Sequence, residues 1–275
     1  MTATATGGGA ASDRPARPTV AQIREVCQPP AIRGRKNSEH WVADVYLRDI
    51  SPYLTRMLLR TPITANQVTW LMIGTGCSAA LVLLIPGLPG AFLAAFFGQL
   101  QMLWDCCDGE VARWRQTSSP QGVFLDRVGH YTTEGLIPIA LGLRAAGFPE
   151  SGWPTTVWPF LGAVLGVLVL YNKALNDMVH VSRAYNDMPR LADRADVGVP
   201  NRRGLARLRS LARFIPFHRS YHSVELTLLI LGAAVVDAFL GDLGATRVLL
   251  VGLVAFGVVT VVGHLASILS SSKLR

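Results

Sequence analysis

The sequence predicts an all-α, polytopic membrane protein with six transmembrane helices and an N-terminal interfacial amphipathic helix, and three observations carry that prediction. Half of the residues are hydrophobic, only 16% are charged, and the mean hydropathy is +0.34; soluble domains carry about 25% charged residues. Six apolar windows approach or exceed the roughly 20 residues that cross a hydrocarbon core, at about 67–85, 90–112, 121–147, 153–183, 222–240 and 245–269. The basic residues are segregated, with nine in 14–60 and nine in 183–219, while the links Pro86–Pro89, Phe148–Gly152 and Gly241–Ala245 hold no Lys or Arg. Cytoplasmic loops hold the Lys/Arg excess. With an even number of spans, both termini, the Arg113/Arg115 turn and the Lys273/Arg275 tail are expected on the cytoplasmic face of a bacterial plasma membrane. The positive charge is thereby read as topology, and no nucleic-acid partner is implied.

Taken in order, residues 1–38 are rich in Ala, Gly, Thr, Pro and Arg, without a periodic apolar face or a signal-peptide core, and are expected to form a flexible cytoplasmic tail. Residues 39–62 are expected to form the interfacial helix. There Trp41, Val45, Leu47, Ile50, Leu54, Met57 and Leu58 alternate with Asp44, Arg48, Arg56 and Arg60, the pattern of a helix lying in the headgroup region. Pro52 places a break or fresh start near Ser51. The six spans fill one domain, 63–270. Its first span opens at Thr64, a helix-capping residue, and Thr117-Ser-Ser-Pro120 makes a tight turn between the second and third spans. Four cysteines, none in a CxxC pair, exclude a disulfide or zinc framework. Cys106 and Cys107 lack a base at a readable spacing, so they are read as packing thiols.

The chemistry concentrates at that turn. Asp105 and Asp108 are three apart on one helix, and Asp126 and His130 four apart on the next, so each pair shares a helical face. Acids beside a hydrophobic segment need a metal or a cation, because intramembrane ionisable groups are costly and rarely idle. Oxygen donors of this kind suit Mg²⁺ or Mn²⁺. Gly109 and Gly122 permit close backbone approach to a ligand. On the fourth span Lys173, Asp177 and His180 form one polar stripe, in which Lys173 either holds an anionic acceptor or pairs with Asp177. His264 on the sixth span is read as a packed histidine.

The stretch Asp105-Cys-Cys-Asp108-Gly109-Glu-Val-Ala112-Arg113, eight residues, then Gly122-Val-Phe-Leu-Asp126-Arg-Val-Gly-His130 resembles the signature of the CDP-alcohol phosphotransferases, DxxDGxxAR followed by GxxxDxxxD. The departure is the last position, where His130 replaces Asp. Ile63-Thr64-Ala65-Asn66-Gln-Val-Thr69 is similar to the family's TPNxxT element, with Ala65 at the Pro position. The resemblance implies a six-helix core and one reaction: a CDP-alcohol, most simply CDP-diacylglycerol, gives up its phosphatidyl or phospho-alcohol group to an acceptor hydroxyl, with release of CMP. It further implies two metal ions on Asp105, Asp108, Asp126 and His130, a nucleotide pocket formed by Asn66, Thr69, Gly109, Ala112, Arg113 and Gly122, and a homodimer. Since the family's last Asp serves as base, the resemblance puts His130 in that role. Glu134, four residues on, would orient its ring, and Lys173 with Asp177 would meet a small polar or phosphorylated alcohol. The Arg202, Arg203, Arg207 and Arg209 cluster favours an anionic acceptor. Two other classes stand beside this one. A noncatalytic CDP-lipid-binding relative would explain His130 as decay. A transporter lined by the same carboxylates would leave the Gly and Ala spacing unexplained and lacks the paired halves such proteins often show.

Overall fold

A computed structural model describes residues 14–30, 43–153, 155–189, 223–271 and 274. Among these residues it is helical with no strand. Two short helices, α1 (Val20–Cys27) and α2 (Arg48–Leu58), precede six long ones: α3 (Ala65–Val82), α4 (Gly87–Arg115), α5 (Pro120–Ala145), α6 (Trp158–Tyr185), α7 (Ser223–Leu240) and α8 (Gly244–Ser270). The long helices fall on the six apolar windows. Three of them, α6, α7 and α8, are long and apolar enough by composition to cross a membrane; polar and charged site residues lie on α4 and α5.

Local chemistry sets the boundaries. Thr64 caps α3 reciprocally with Gln67, whose backbone N–H donates to Thr64 Oγ1 at 3.2 Å while its side chain accepts from Thr64 N–H at 2.8 Å, a capping box. α4 ends at Gln116, which takes the left-handed conformation with φ 57°, a common helix stop. Ser119 then caps α5 through Gly122 N–H at 3.1 Å, and Pro120 fills the first helical position, where a missing N–H costs nothing. The fourth long helix, α6, starts at Trp158, later than the window that begins at 153.

The tail expectation is corrected over 14–30. Thr19 and Gln22 form a second capping box that starts α1, and Ile23 and Cys27 are fully buried against Leu59, Val111 and Trp114. Three spaced apolar residues, Ile23, Val26 and Cys27, are too short a pattern to register as a helix, yet they pack on α4. The rest of that segment, Trp41 and the 202–209 arginines lie outside the described residues.

The Pro52 break is also revised, because α2 runs through it. A π-helical turn, Ala43–Leu47, leads into the helix. Pro52 has no N–H to offer the Arg48 carbonyl four residues back, and Gln28 Nε2 donates to that carbonyl at 2.7 Å instead. α2 is amphipathic in an unexpected sense: Ser51 and Thr55 are buried, while Ile50, Tyr53 and Met57 are exposed.

The bundle is built on α3, which packs against both α4 and α5, with α6 on α5, α7 on α4, and α8 on α6 and α7. Its apolar core joins Leu83, Ala94, Ile137, Leu141, Leu165, Ile230 and Leu250. Small residues bring the backbones together: a Cβ on Gly162 of α6 would stand 2.7 Å from Gly142 Cα of α5, so only glycine fits that crossing. Outward faces are apolar, as at Phe124, Val167, Phe239 and Val259, which suits lipid rather than water.

Candidate active site

The α4–α5 hairpin positions the site. The last turns of α4 carry Asp105 and Asp108, the first turns of α5 carry Asp126 and His130, and the turn between them brings the two sets face to face. His130 Nε2 lies 2.9 Å from Asp105 Oδ1 and 3.5 Å from Asp126 Oδ1. One donor atom from each of Asp105, Asp126 and His130 lies within 4.8 Å of the others, a grouping that fits a metal ion. Two carboxylates and an imidazole could hold a divalent ion with water completing the shell, the carboxylates suiting hard cations and the imidazole softer ones. Asp108 stands beside this trio, its Oδ2 accepting from Thr69 Oγ1 of α3 at 2.7 Å. The TPNxxT-like element thus reaches the first motif, as its position upstream predicts.

Behind His130 the geometry revises the stripe on α6. Lys173 does not pair with Asp177. Its Nζ donates to Glu134 Oε1 at 2.8 Å, and that same oxygen lies 3.4 Å from His130 Nδ1. Glu134 is 1% exposed, so a buried carboxylate stands between an imidazole and an ammonium, the satisfied arrangement that burial of charge demands. Asp177 instead pairs with Arg127 and accepts from Tyr131 Oη at 3.0 Å. The periodicity that put Lys173 and Asp177 on one face of α6 was sound. It could not tell that α5 offers each a separate partner.

Of the residues expected at a nucleotide, Asn66 and Gly122 lie together at the mouth of the hairpin. Gly122 faces Asn66: a Cβ on it would come within 3.2 Å of Asn66 Oδ1. A cleft beside them is lined by Thr64, Ala65, Asn66, Arg115, Thr117 and Ser119, and Arg115 holds its rim by donating to the carbonyls of Thr61 and Ile63. Ala112 is half-buried on the same helix. Over Gly109 lies the Arg113 guanidinium, with Nη1 2.9 Å from where a Cβ would stand, and Arg113 Nε donates to the Cys27 carbonyl of α1 at 2.8 Å.

Sequence reasoning passed over three residues here. Arg127 and Tyr131 lie between motif positions of α5, and Glu110 occupies a variable position of the DxxDGxxAR pattern. A signal for Glu110 was available: a carboxylate in a hydrophobic segment, with Ser51 and Thr55 spaced i, i+4 upstream as donors. His264 Nδ1 lies 2.8 Å from Asn172 Oδ1, a packed histidine as expected.

The described residues are thus helical, with apolar outer faces and an Asp–Asp–His group at a helical hairpin that could hold a metal ion. Residues 62–185, from just before α3 through α6, match the family model of CDP-alcohol phosphatidyltransferases. The matched region contains Asn66, Thr69, Asp105, Asp108, Asp126, His130, Glu134 and Lys173. No curated protein matches the chain.

Proposed function

We propose that this protein is a membrane transferase that moves a phosphatidyl or phospho-alcohol group from a CDP-alcohol, most simply CDP-diacylglycerol, to an acceptor hydroxyl in phospholipid biosynthesis. The observation that carries the reading is the convergence of Asp105, Asp126 and His130 at the hairpin, within a segment that matches the family. The family uses divalent metals. Asp105, Asp108, Asp126 and His130 would hold Mg²⁺ or Mn²⁺, two ions in the family's arrangement, and the metal supplies neutralisation of charge on the pyrophosphate.

The chain's own residues do the rest. The acceptor oxygen attacks the β-phosphorus of the donor, the bridging P–O bond breaks, and CMP leaves with the bond's electrons. His130 takes the acceptor's proton as general base. Glu134 orients the ring through Nδ1, and Lys173 in turn holds Glu134. Asn66, Thr69, Gly109, Ala112, Arg113 and Gly122 accommodate the nucleotide. Lys173 and Asp177, now seen beside Arg127 and Tyr131, stand on the acceptor side, which favours a sugar or polyol phosphate. All six long helices span the bilayer, both termini are cytoplasmic, α2 lies in the interface, and the functional unit is a homodimer. A CMP-release screen over acceptor alcohols, with purified protein, CDP-diacylglycerol and Mg²⁺ or Mn²⁺, tests the reading. Absence of CMP release across serine, inositol and glycerol phosphates and their unphosphorylated alcohols refutes it.

A further inference from the structure

Glu110 is a fully buried carboxylate that the proposed reaction does not use. It projects from α4 between Asp108 and Arg113, and its partners come from the segment that precedes the family match. Ser51 Oγ and Thr55 Oγ1 of α2 donate to its two oxygens at 2.5 and 2.6 Å, and Gln28 Nε2 at the end of α1 donates at 2.8 Å. Arg113, one turn further along α4, donates to the Cys27 carbonyl, and Arg14 Nη1 donates to the Trp114 carbonyl at 2.6 Å. Apolar contact among Ile23, Cys27, Leu59, Val111 and Trp114 surrounds the polar set.

Apolar contact alone would hold α1 and α2 against α4, but it is non-directional. Three hydrogen bonds to one carboxylate arrive from fixed directions, and they resist rotation of α4 about its axis. Asp105 and Asp108 project from that same stretch of helix, so its rotation sets where their oxygens stand relative to Asp126 and His130. The opposite face of α2 shows Ile50, Tyr53 and Met57 at i, i+3 and i+7, each about half exposed or more, a stripe suited to the lipid boundary.

We propose that α1 and α2 form a strap across the metal-site helix, with Glu110 as the positioning residue through which the strap aims Asp105 and Asp108. The proposal rests on the transferase reading for its consequence in turnover, but not for its consequence in metal binding.

The test uses the full chain in nanodiscs with three readouts: Mn²⁺ affinity by electron paramagnetic resonance without substrate, maleimide labelling of Cys27, and CMP release. Cys27 is fully buried under the strap, and burial together with the Glu110 charge pushes its thiol up to about 11, so wild-type labelling is slow at neutral pH. Glu110→Leu is expected to unmask Cys27, weaken Mn²⁺ binding about tenfold, the loss typical of groups that orient metal ligands, and lower kcat more than it changes the donor KM. Glu110→Gln, whose carbonyl still accepts one α2 hydroxyl while its amide N–H can donate to the other, should recover most of the Mn²⁺ affinity. Ser51→Ala with Thr55→Val should reproduce the loss without altering α4, and it decides the matter if Glu110→Leu does not fold. Unmasked Cys27 with wild-type Mn²⁺ affinity would overturn the proposal, leaving the strap an anchor. If the wild-type protein binds Mn²⁺ but releases no CMP, the transferase reading fails while the Mn²⁺ titrations still decide the strap.

Discussion

The two ends of the bundle use buried charge in opposite ways. At the end away from the motif, charged side chains satisfy backbone. Arg144, 4% exposed, donates to the carbonyls of Leu83, Ile85 and Gly87 at 3.3, 3.2 and 2.7 Å, closing the α3–α4 link. Asp237 of α7 accepts from Ala245 N–H at 2.7 Å and from Thr246 of α8, and Arg247 donates to the Ala145 carbonyl at 3.0 Å. At the motif end the charged groups face one another: Asp105, Asp126, His130, Glu134 and Lys173 form one connected chain. A carboxylate on a helix end completes orphan N–H groups and stabilises the fold. Carboxylates crowded together oppose folding unless a cation or a reaction requires them. Backbone-satisfying charge occurs at the motif end too, as at Arg113 and Arg115, so what sets that end apart is the cluster of charges that face one another.

Substitution at both ends breaks or confirms that contrast, and the largest expected effect is at the acids. Asp105→Asn, Asp108→Asn and Asp126→Asn should each lower CMP release at least a hundredfold, in the range seen when a preorganised charge-stabilising group is removed, with an unchanged elution profile in detergent. More than a tenth of wild-type turnover in all three would remove the metal-assisted reading. Next comes His130. His130→Ala should lose roughly 10²-fold or more as a general base is lost, and His130→Asp should restore turnover with a tighter Mg²⁺ dependence, since it returns a hard anionic ligand. Near wild-type release by the alanine variant would make the imidazole a bystander.

The opposite end should respond in the other currency. Asp237→Asn keeps one acceptor but loses charge-assisted bonds to Ala245 and Thr246, and Arg144→Leu leaves three carbonyls unpaired, so each should lower stability by about 1–3 kcal/mol. Thermal unfolding in detergent measures this, and CMP release per folded molecule should stay within about twofold, the small effect expected of sites outside catalysis. A selective loss of turnover without destabilisation would erase the distinction between the two ends.

Much of this was legible in the sequence, for physical reasons that also explain the misses. The long helices follow from apolar windows, since nothing but length and hydropathy is needed to mark them. Thr64 and Ser119 sit at the helix starts because capping is a local interaction, readable within four residues. The motif spacing placed Asp105, Asp126 and His130 on facing helices, because the intervening turn is short enough to fix their register. What could not be read was the choice of partner across helices. Lys173 reaches Glu134 rather than Asp177, and Glu110 is held by α1 and α2, because those pairings depend on crossing geometry between elements 39 or more residues apart. α1 escaped notice because eight residues carry too little periodicity to outweigh the Pro- and Gly-rich composition around them.

Lys173 gives the smallest and most discriminating test, because it touches both the proton-handling chain and the acceptor side. Its ammonium has three donor hydrogens, and Glu134 takes one. Tyr131 lies under it, with the ring centre 5.9 Å from Nζ. If the remaining donors meet an anionic acceptor, Lys173→Met should raise the acceptor KM about tenfold and leave the donor KM nearly unchanged, a loss of binding confined to one substrate. Removing Lys173 alone also takes the ammonium partner from the buried Glu134 carboxylate, which by itself destabilises. The double variant Glu134→Gln with Lys173→Met removes that carboxylate charge, so it should recover thermal stability while keeping the raised acceptor KM. An acceptor KM that returns to the value of Glu134→Gln alone would assign Lys173 entirely to Glu134, and the acceptor's charge would then have to be met by Arg127 or by residues outside α6.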